Sequence, residues 1–191
     1  YKQLACGPQG IEVGLIHSRF PAFLRREQES KWVDLLGKNG ADNRRKHGRI
    51  LVATQILEQS VDVDADFLIT RLAPGDMLFQ RIGRLWRHEK LNAVRPQQAK
   101  REMLLLIPEE CSAPEQIQGN THILLPYDPY WMLRTCEIWK EMNEVHIPDD
   151  IRPVLEKIYQ DRPEESEIMA RLKQEMIQRR DHEKYLANCS R

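Results

Sequence analysis

Long apolar runs are missing from these 191 residues: no stretch approaches the roughly 18 apolar residues of a membrane span. No secretory leader opens the chain either, so a soluble, cytoplasmic protein without a membrane partner is expected. Cysteine is scarce. Cys6, Cys111, Cys136 and Cys189 lie far apart and form no C-x-x-C pair, which argues against both a zinc site and a disulfide framework; they read as reduced thiols. A phosphate-cradling P-loop, G-x-x-x-x-G-K-[ST], is also absent. The sole Gly-Lys pair, Gly37-Lys38, is followed by Asn39 and has Trp32 where the first glycine belongs. Asp62, Asp64 and Asp66 imitate the start of a calcium loop, yet Phe67 occupies the obligatory glycine position and no closing Glu follows. Asp181-His182 has the wrong order for a His-Asp metal nuclease and no companion ligands, so no metal site is expected.

What is present is an uneven charge distribution beneath a net charge of zero. Residues 1–100 hold 17 Lys/Arg against 11 Asp/Glu, and residues 101–191 hold 12 against 18. The first half is therefore the candidate anion-binding half. Short apolar runs punctuate it: Ile11–His17, Ile50–Ala53, Phe67–Thr70 and Met103–Ile107 read as strands, the second unalternated as in strands buried on both faces. Pro21 and Gly37 bracket an amphipathic run ending at Leu36 that reads as a helix. Strands separated by helices or helical turns predict an α/β fold with a parallel sheet flanked by helices. Ligands of such sheets sit beyond the carboxyl ends of the strands, which selects His17-Ser18-Arg19, Thr54-Gln55 and Thr70-Arg71. Tyr1–Cys6 reads as the tail of a helix whose preceding strand is missing, so the chain is expected to be part of something longer.

After Pro108 the composition loosens. Prolines at 108, 114, 126 and 129 precede an apolar, aromatic helical run from Tyr130 to Met142; Pro148 and Pro153 open a shorter helix ending near Tyr159. A charged helix from Glu164 to Leu186 carries only the thin stripe Ile168, Leu172 and Met176, which suits either a solvated helix docked on its own protein or a partner-binding one.

The stretch QRIGRLWRH, residues 80–88, is the most informative. If Asp76–His88 is one helix, Leu78, Ile82 and Leu85 fall within about 60° of one another and form a core stripe. Gln80, Arg84 and Arg87 share that spacing, rotated by about 200°, so an amide and two guanidinium groups point the opposite way. Gly83 lies beside Arg84, where it lowers helix stability by about 1 kcal/mol and admits a close ligand. No carboxylate stands four residues after either arginine, since those positions are His88 and Leu91. Planar guanidinium forks suit phosphate oxygens.

QRIGRLWR resembles motif VI of superfamily 2 helicases, and ILVATQILEQSVDVDADFLIT resembles motif V. With GLIHSRF before them and YDPYWMLRTCEIW and IPDDIRPVLEKIYQD after them, the chain resembles the CRISPR-associated helicase-nuclease of type I systems over nearly its whole length. The resemblance implies a second RecA-like domain over residues 1–125 and a helical accessory region over 126–191. In such motors ATP with Mg²⁺ lies between two RecA-like domains, the first carrying the P-loop and the acidic motif. By position, Arg84 and Arg87 would be arginine fingers, Gln80 would position water or phosphate, and Asp62 would contact the ribose or couple the two ligands, with Gly83 beside them. Thr54 would donate to a DNA phosphate, joined by His17, Ser18 and Arg19. The implied partners are single-stranded DNA, an N-terminal RecA-like domain, a nuclease domain and a crRNA-guided surveillance complex. The implied activity is 3′ to 5′ translocation, with the isolated chain hydrolysing neither ATP nor DNA. Another superfamily 2 translocase, or a non-catalytic DNA clamp of the same fold, fits motifs V and VI alone. The loop Arg44-Arg45-Lys46-His47 reads as either a DNA contact or a solvated loop.

Overall fold

The computed structural model describes residues 10–44, 47–59, 61–109, 127–163 and 166–189. In chain order the elements are β1 (Ile11–Ile16), α1 (Ala22–Leu36), α2 (Ala41–Arg44), β2 (Gly48–Ala53), α3 (Ile56–Gln59), β3 (Leu68–Arg71), α4 (Gly75–Ile82), a 3-10 helix (Glu89–Val94), β4 (Met103–Leu106), α5 (Pro129–Trp139), α6 (Ile151–Tyr159) and α7 (Glu167–Cys189). The apolar runs form strands where their composition predicts them, within a residue or two at each end. The proposed helix tail over Tyr1–Cys6 and the expected boundary near residue 126 lie outside the described residues.

The strands form two parallel pairs. β1 runs beside β2 in a register from Ile11 opposite Gly48 to Ile16 opposite Ala53. β3 runs beside β4, with Leu68 N–H donating to Glu102 O at 3.4 Å and Leu72 N–H to Leu106 O at 3.2 Å. The strands are less enclosed than an unalternated apolar run predicts. β2 is half-buried along its apolar length, and Ile69, Leu104 and Leu106 expose about half of their surface (59%, 48% and 49%).

The chain divides into two compact units, residues 1–70 with 79–104 and residues 71–78 with 105–191. In the first, Ile16 and Trp32 are completely buried. Gly14, at the centre of β1, is what lets α1 lie close: a Cβ there would stand 1.9 Å from Cζ2 of Trp32. Pro21 sits at the N-cap of α1, where its missing N–H has no helical acceptor to lose, and Gly37 ends the helix by donating to Val33 O at 2.8 Å.

In the second unit α5 is nearly all core: Tyr130, Met132, Leu133, Arg134, Thr135, Cys136 and Trp139 are buried. Asp128 caps its start by accepting from Tyr130 N–H at 2.9 Å, with Pro129 in the first turn. The buried guanidinium of Arg134 donates to Lys157 O and Gln160 O, both at 2.8 Å, so it caps the carbonyl end of α6. Tyr159 donates to Asp76 Oδ1 at 2.5 Å, and burial together with that carboxylate raises the phenol above its ordinary range. Of the stripe on α7, Leu172 and Met176 are buried and Ile168 is 36% exposed. The reduced-thiol expectation is corrected at Cys136, which is disulfide-bonded, while Cys189 is free and exposed. Distance along the chain does not bound distance in the fold, so wide spacing was no evidence against a bond.

Candidate functional site

The segment carrying Arg84 and Arg87 is not one continuous helix. α4 ends at Ile82; Arg84 lies in the following turn and Arg87 beyond it. Leu85 forms a parallel bridge with Ala65, in which Ala65 N–H donates to Arg84 O at 2.7 Å and Trp86 N–H to Ala65 O at 3.0 Å. Those backbone groups are therefore unavailable to continue a helix, and Trp86 adopts the left-handed region with φ of 52°. The core stripe survives the change, with Leu78, Ile82 and Leu85 all buried. The opposite set remains accessible: Gln80 and Arg87 are exposed and Arg84 is half-buried.

The two arginines are held differently. Arg84 donates from Nε to Leu57 O at 3.2 Å and from Nη2 to Glu58 O at 3.4 Å, both carbonyls of α3. No carboxylate among the described residues comes within ion-pair distance of it. Burial lowers its pKa first, the nearby positive charge of Arg87 second, and Asp62 opposes both. Neutral carbonyls thus orient the fork, and its charge is not cancelled by an ion pair among the described residues. Arg87 donates from Nε to Asp62 Oδ1 at 2.7 Å and from Nη1 to Gly83 O at 3.3 Å. The same Asp62 oxygen lies 3.1 Å from His88 Nε2. Reasoning limited to helical neighbours missed this partner, which comes from a loop 25 residues away. At Gly83 an added Cβ would stand 3.4 Å from two carbonyls, ordinary contact, so packing within the chain does not require glycine there.

The other two aspartates are structural. Asp64 is completely buried, and its carboxylate accepts from Arg44 at 2.7 Å, from Arg95 at 2.8 and 2.9 Å, and from His88 N–H at 2.7 Å. Asp66 accepts from Arg44 at 2.6 Å and Arg95 at 2.5 Å. Burial works against the charge of Arg95, but the bonds to Asp64 and Asp66 outweigh it and raise its pKa. Its guanidinium also stacks 4.6 Å from the Trp86 ring, whose Nε1 donates to Asp66 O at 3.0 Å. Of the basic loop, Arg44 is thereby a buried anchor; Arg45 and Lys46 lie outside the described residues and His47 is exposed. Sequence reasoning also missed Arg81 and Glu58. Arg81 donates to Glu58 Oε1 from Nε at 2.9 Å and Nη2 at 2.5 Å, and to Thr70 Oγ1 from Nη1 at 2.8 Å. The signal for Arg81 was its place in QRIGR; nothing in the sequence marked Arg95.

At the carboxyl ends of β1 and β2 the four predicted residues do meet. Thr54 N–H donates to Ile16 O at 3.2 Å, Ser18 N–H to Thr54 Oγ1 at 3.3 Å, and Arg19 N–H to His17 Nδ1 at 3.0 Å. Arg25, from α1, donates to Ser18 O at 3.4 Å. Ser18 and Arg19 are exposed, and Thr54 and His17 half-buried. The result is a hydroxyl and a basic side chain presented at the strand ends, with their loop tied to the helix that follows.

Residues 1–90 match the family described as the C-terminal part of CRISPR-associated nuclease/helicase Cas3. The CRISPR-associated endonuclease/helicase Cas3 of Thermus thermophilus is 40% identical over 158 residues, 82% of this chain and 16% of that protein. Its Escherichia coli K12 counterpart is 40% identical over 156 residues, 79% of this chain and 16% of the relative. The chain thus spans 16% of the length of each of these curated Cas3 relatives. The crystal structure of T. fusca Cas3-ATP superposes with a TM-score of 0.72 at 38% identity, covering 93% of this chain and 20% of that one. A chain of a CRISPR RNA-guided surveillance complex, pre-nicking, gives 0.70 at 38% identity, covering 93% and 21%. The α/β, RecA-like architecture expected from the sequence is the one this Cas3-like chain shares with them.

Proposed function

We propose that this chain is the second RecA-like half, with its helical accessory region, of an ATP-dependent motor that moves 3′ to 5′ along single-stranded DNA in type I CRISPR interference. The observation that carries the reading is Arg84, a half-buried guanidinium oriented by two carbonyls and, among the described residues, within ion-pair distance of no carboxylate. That donor set fits a phosphate oxygen. Arg84 would reach across an interdomain cleft to ATP, and Arg87 would join it by leaving Asp62 for the stronger anion. ATP with Mg²⁺, held mainly by the first domain, supplies the phosphoryl group; the fingers stabilise charge as it spreads over that group's oxygens. Asp64 and Asp66 already serve arginines, so neither is offered as a metal ligand. Gln80, exposed on α4, would orient water or phosphate.

At the strand ends Thr54, Ser18, His17 and Arg19 would bind the DNA backbone. Contacts of that kind fix position without reading sequence, as a motor on any strand requires. The Cas3 names of the relatives and the surveillance-complex neighbour support an assembly with a nuclease domain and a crRNA-guided complex. Without a P-loop, the chain by itself is expected to turn over no ATP. The test joins the chain to its first RecA-like domain and measures DNA-stimulated ATP hydrolysis with and without Arg87→Ala. Loss of about 10³-fold or more is expected of an arginine finger; indifference would favour a clamp that binds DNA without hydrolysis.

A further inference from the structure

Arg84 is held by α3, so whatever fixes α3 fixes Arg84. The carboxylate of Glu58 is the anchor of that short turn. It is buried, 4% exposed, and ion-paired at 2.5 Å to Arg81, 18% exposed, which also donates to the Thr70 hydroxyl at 2.8 Å. The same residue's carbonyl accepts from Arg84 Nη2. Glu58 therefore holds its turn to α4 with its side chain and steers the finger with its main chain. The other end of the turn begins at the strand edge: Leu57 N–H donates to Thr54 O at 3.4 Å and Glu58 N–H to Gln55 O at 2.9 Å, while the Thr54 hydroxyl faces Ser18. One turn of backbone links the candidate DNA contact to the candidate finger.

We propose that Glu58 is a positioning residue for Arg84, which locks α3 through Arg81 and Thr70 so that Thr54 and the Arg84 guanidinium shift together. The proposal rests on the motor reading above and deepens it by assigning Arg84 a positioning partner on the turn that begins at Thr54. A salt bridge serving stability alone would lie anywhere in the core. This one is placed on the residue whose carbonyl Arg84 uses.

The test measures kcat and KM for ATP with saturating single-stranded DNA in the full-length motor. Three variants are compared with the parent: Glu58→Gln, the double variant Glu58→Gln/Arg81→Met, and Arg84→Ala. Displacement of the finger by a fraction of an ångström is expected to lower kcat at least about tenfold in Glu58→Gln, with KM changed less than about twofold. Glu58→Gln takes the carboxylate away from the half-buried Arg81 guanidinium and can compromise folding; the double variant removes both charges and restores folding without restoring the anchor. Its kcat is expected to stay low while its melting temperature recovers, a split that a purely structural role cannot produce. A folded variant of either kind with parental kcat overturns the proposal. If Arg84→Ala also turns over ATP at the parental rate, the motor reading itself fails; if Arg84→Ala is inactive while the Glu58 variants are normal, only the positioning role falls.

Discussion

Two arginines three residues apart occupy opposite electrostatic situations, and that difference sets what each can do. Arg84 rests on carbonyls with no carboxylate among the described residues at ion-pair distance, whereas Arg87 is paired with Asp62, both partners of that pair being more than a third exposed (39% and 44%). An exposed pair of this kind contributes little to stability. Asp64 is the contrasting case, completely buried and saturated by Arg44, Arg95 and a backbone N–H. Asp64→Asn keeps the shape and removes the charge beneath two guanidinium groups. Destabilisation of about 3–5 kcal/mol is expected by urea unfolding, and a loss within experimental error would show that Asp64 is not the hub. The three aspartates were visible in the sequence as a D-x-D-x-D array. Their division of labour was not, because the deciding arginine, Arg95, stands 31 residues from Asp64 and carries no local pattern. Glu12 supplies a pH test. The bond from Lys31, opposed by burial and reinforced by Arg49, lowers its pKa from 4.5. A lowered folded-state pKa means stabilisation that is present above the ordinary carboxylate range and lost as pH falls through the lowered value. The melting-temperature gap between the protein and Glu12→Gln is therefore expected at pH 7 and should close on acidification below 4.5; a gap that is constant with pH would remove Glu12 from the account.

At the scale of elements, the first unit depends on how closely α1 approaches β1. Gly14 faces Trp32, which is wholly buried and has nowhere to retreat. Gly14→Ala is expected to destabilise by about 1–3 kcal/mol through overpacking, read from denaturant midpoints, with Trp32 fluorescence reporting the displaced ring. An unchanged midpoint would mean the helix can slide. The elements themselves were legible: apolar runs gave four strands, and Pro21 and Gly37 marked the ends of α1. The end of α4 was not, because periodicity continues through Leu85 while hydrogen bonding does not. The backbone there pairs with Ala65, and a non-local bridge leaves no trace in helical spacing. The strand-end residues were legible for the converse reason, since the rule that selects Thr54 and Ser18 depends on chain direction alone.

At the scale of the whole molecule, a neutral net charge conceals a basic first half and an acidic second half. The chain covers 16% of its Cas3 relatives and carries guanidinium groups without a P-loop to serve. Its basic first half holds both candidate ligand regions, joined by the single turn α3. On this account the chain contributes geometry, and the partner domain contributes the bound phosphates. The decisive measurement is the structure of the two RecA-like domains joined, with single-stranded DNA and a non-hydrolysable ATP analogue. Guanidinium nitrogens of Arg84 and Arg87 are expected about 3 Å from γ-phosphate oxygens, with Arg87 released from Asp62. Phosphates met by neither arginine, with Arg84 still on Leu57 O and Arg87 still on Asp62, would contradict the account.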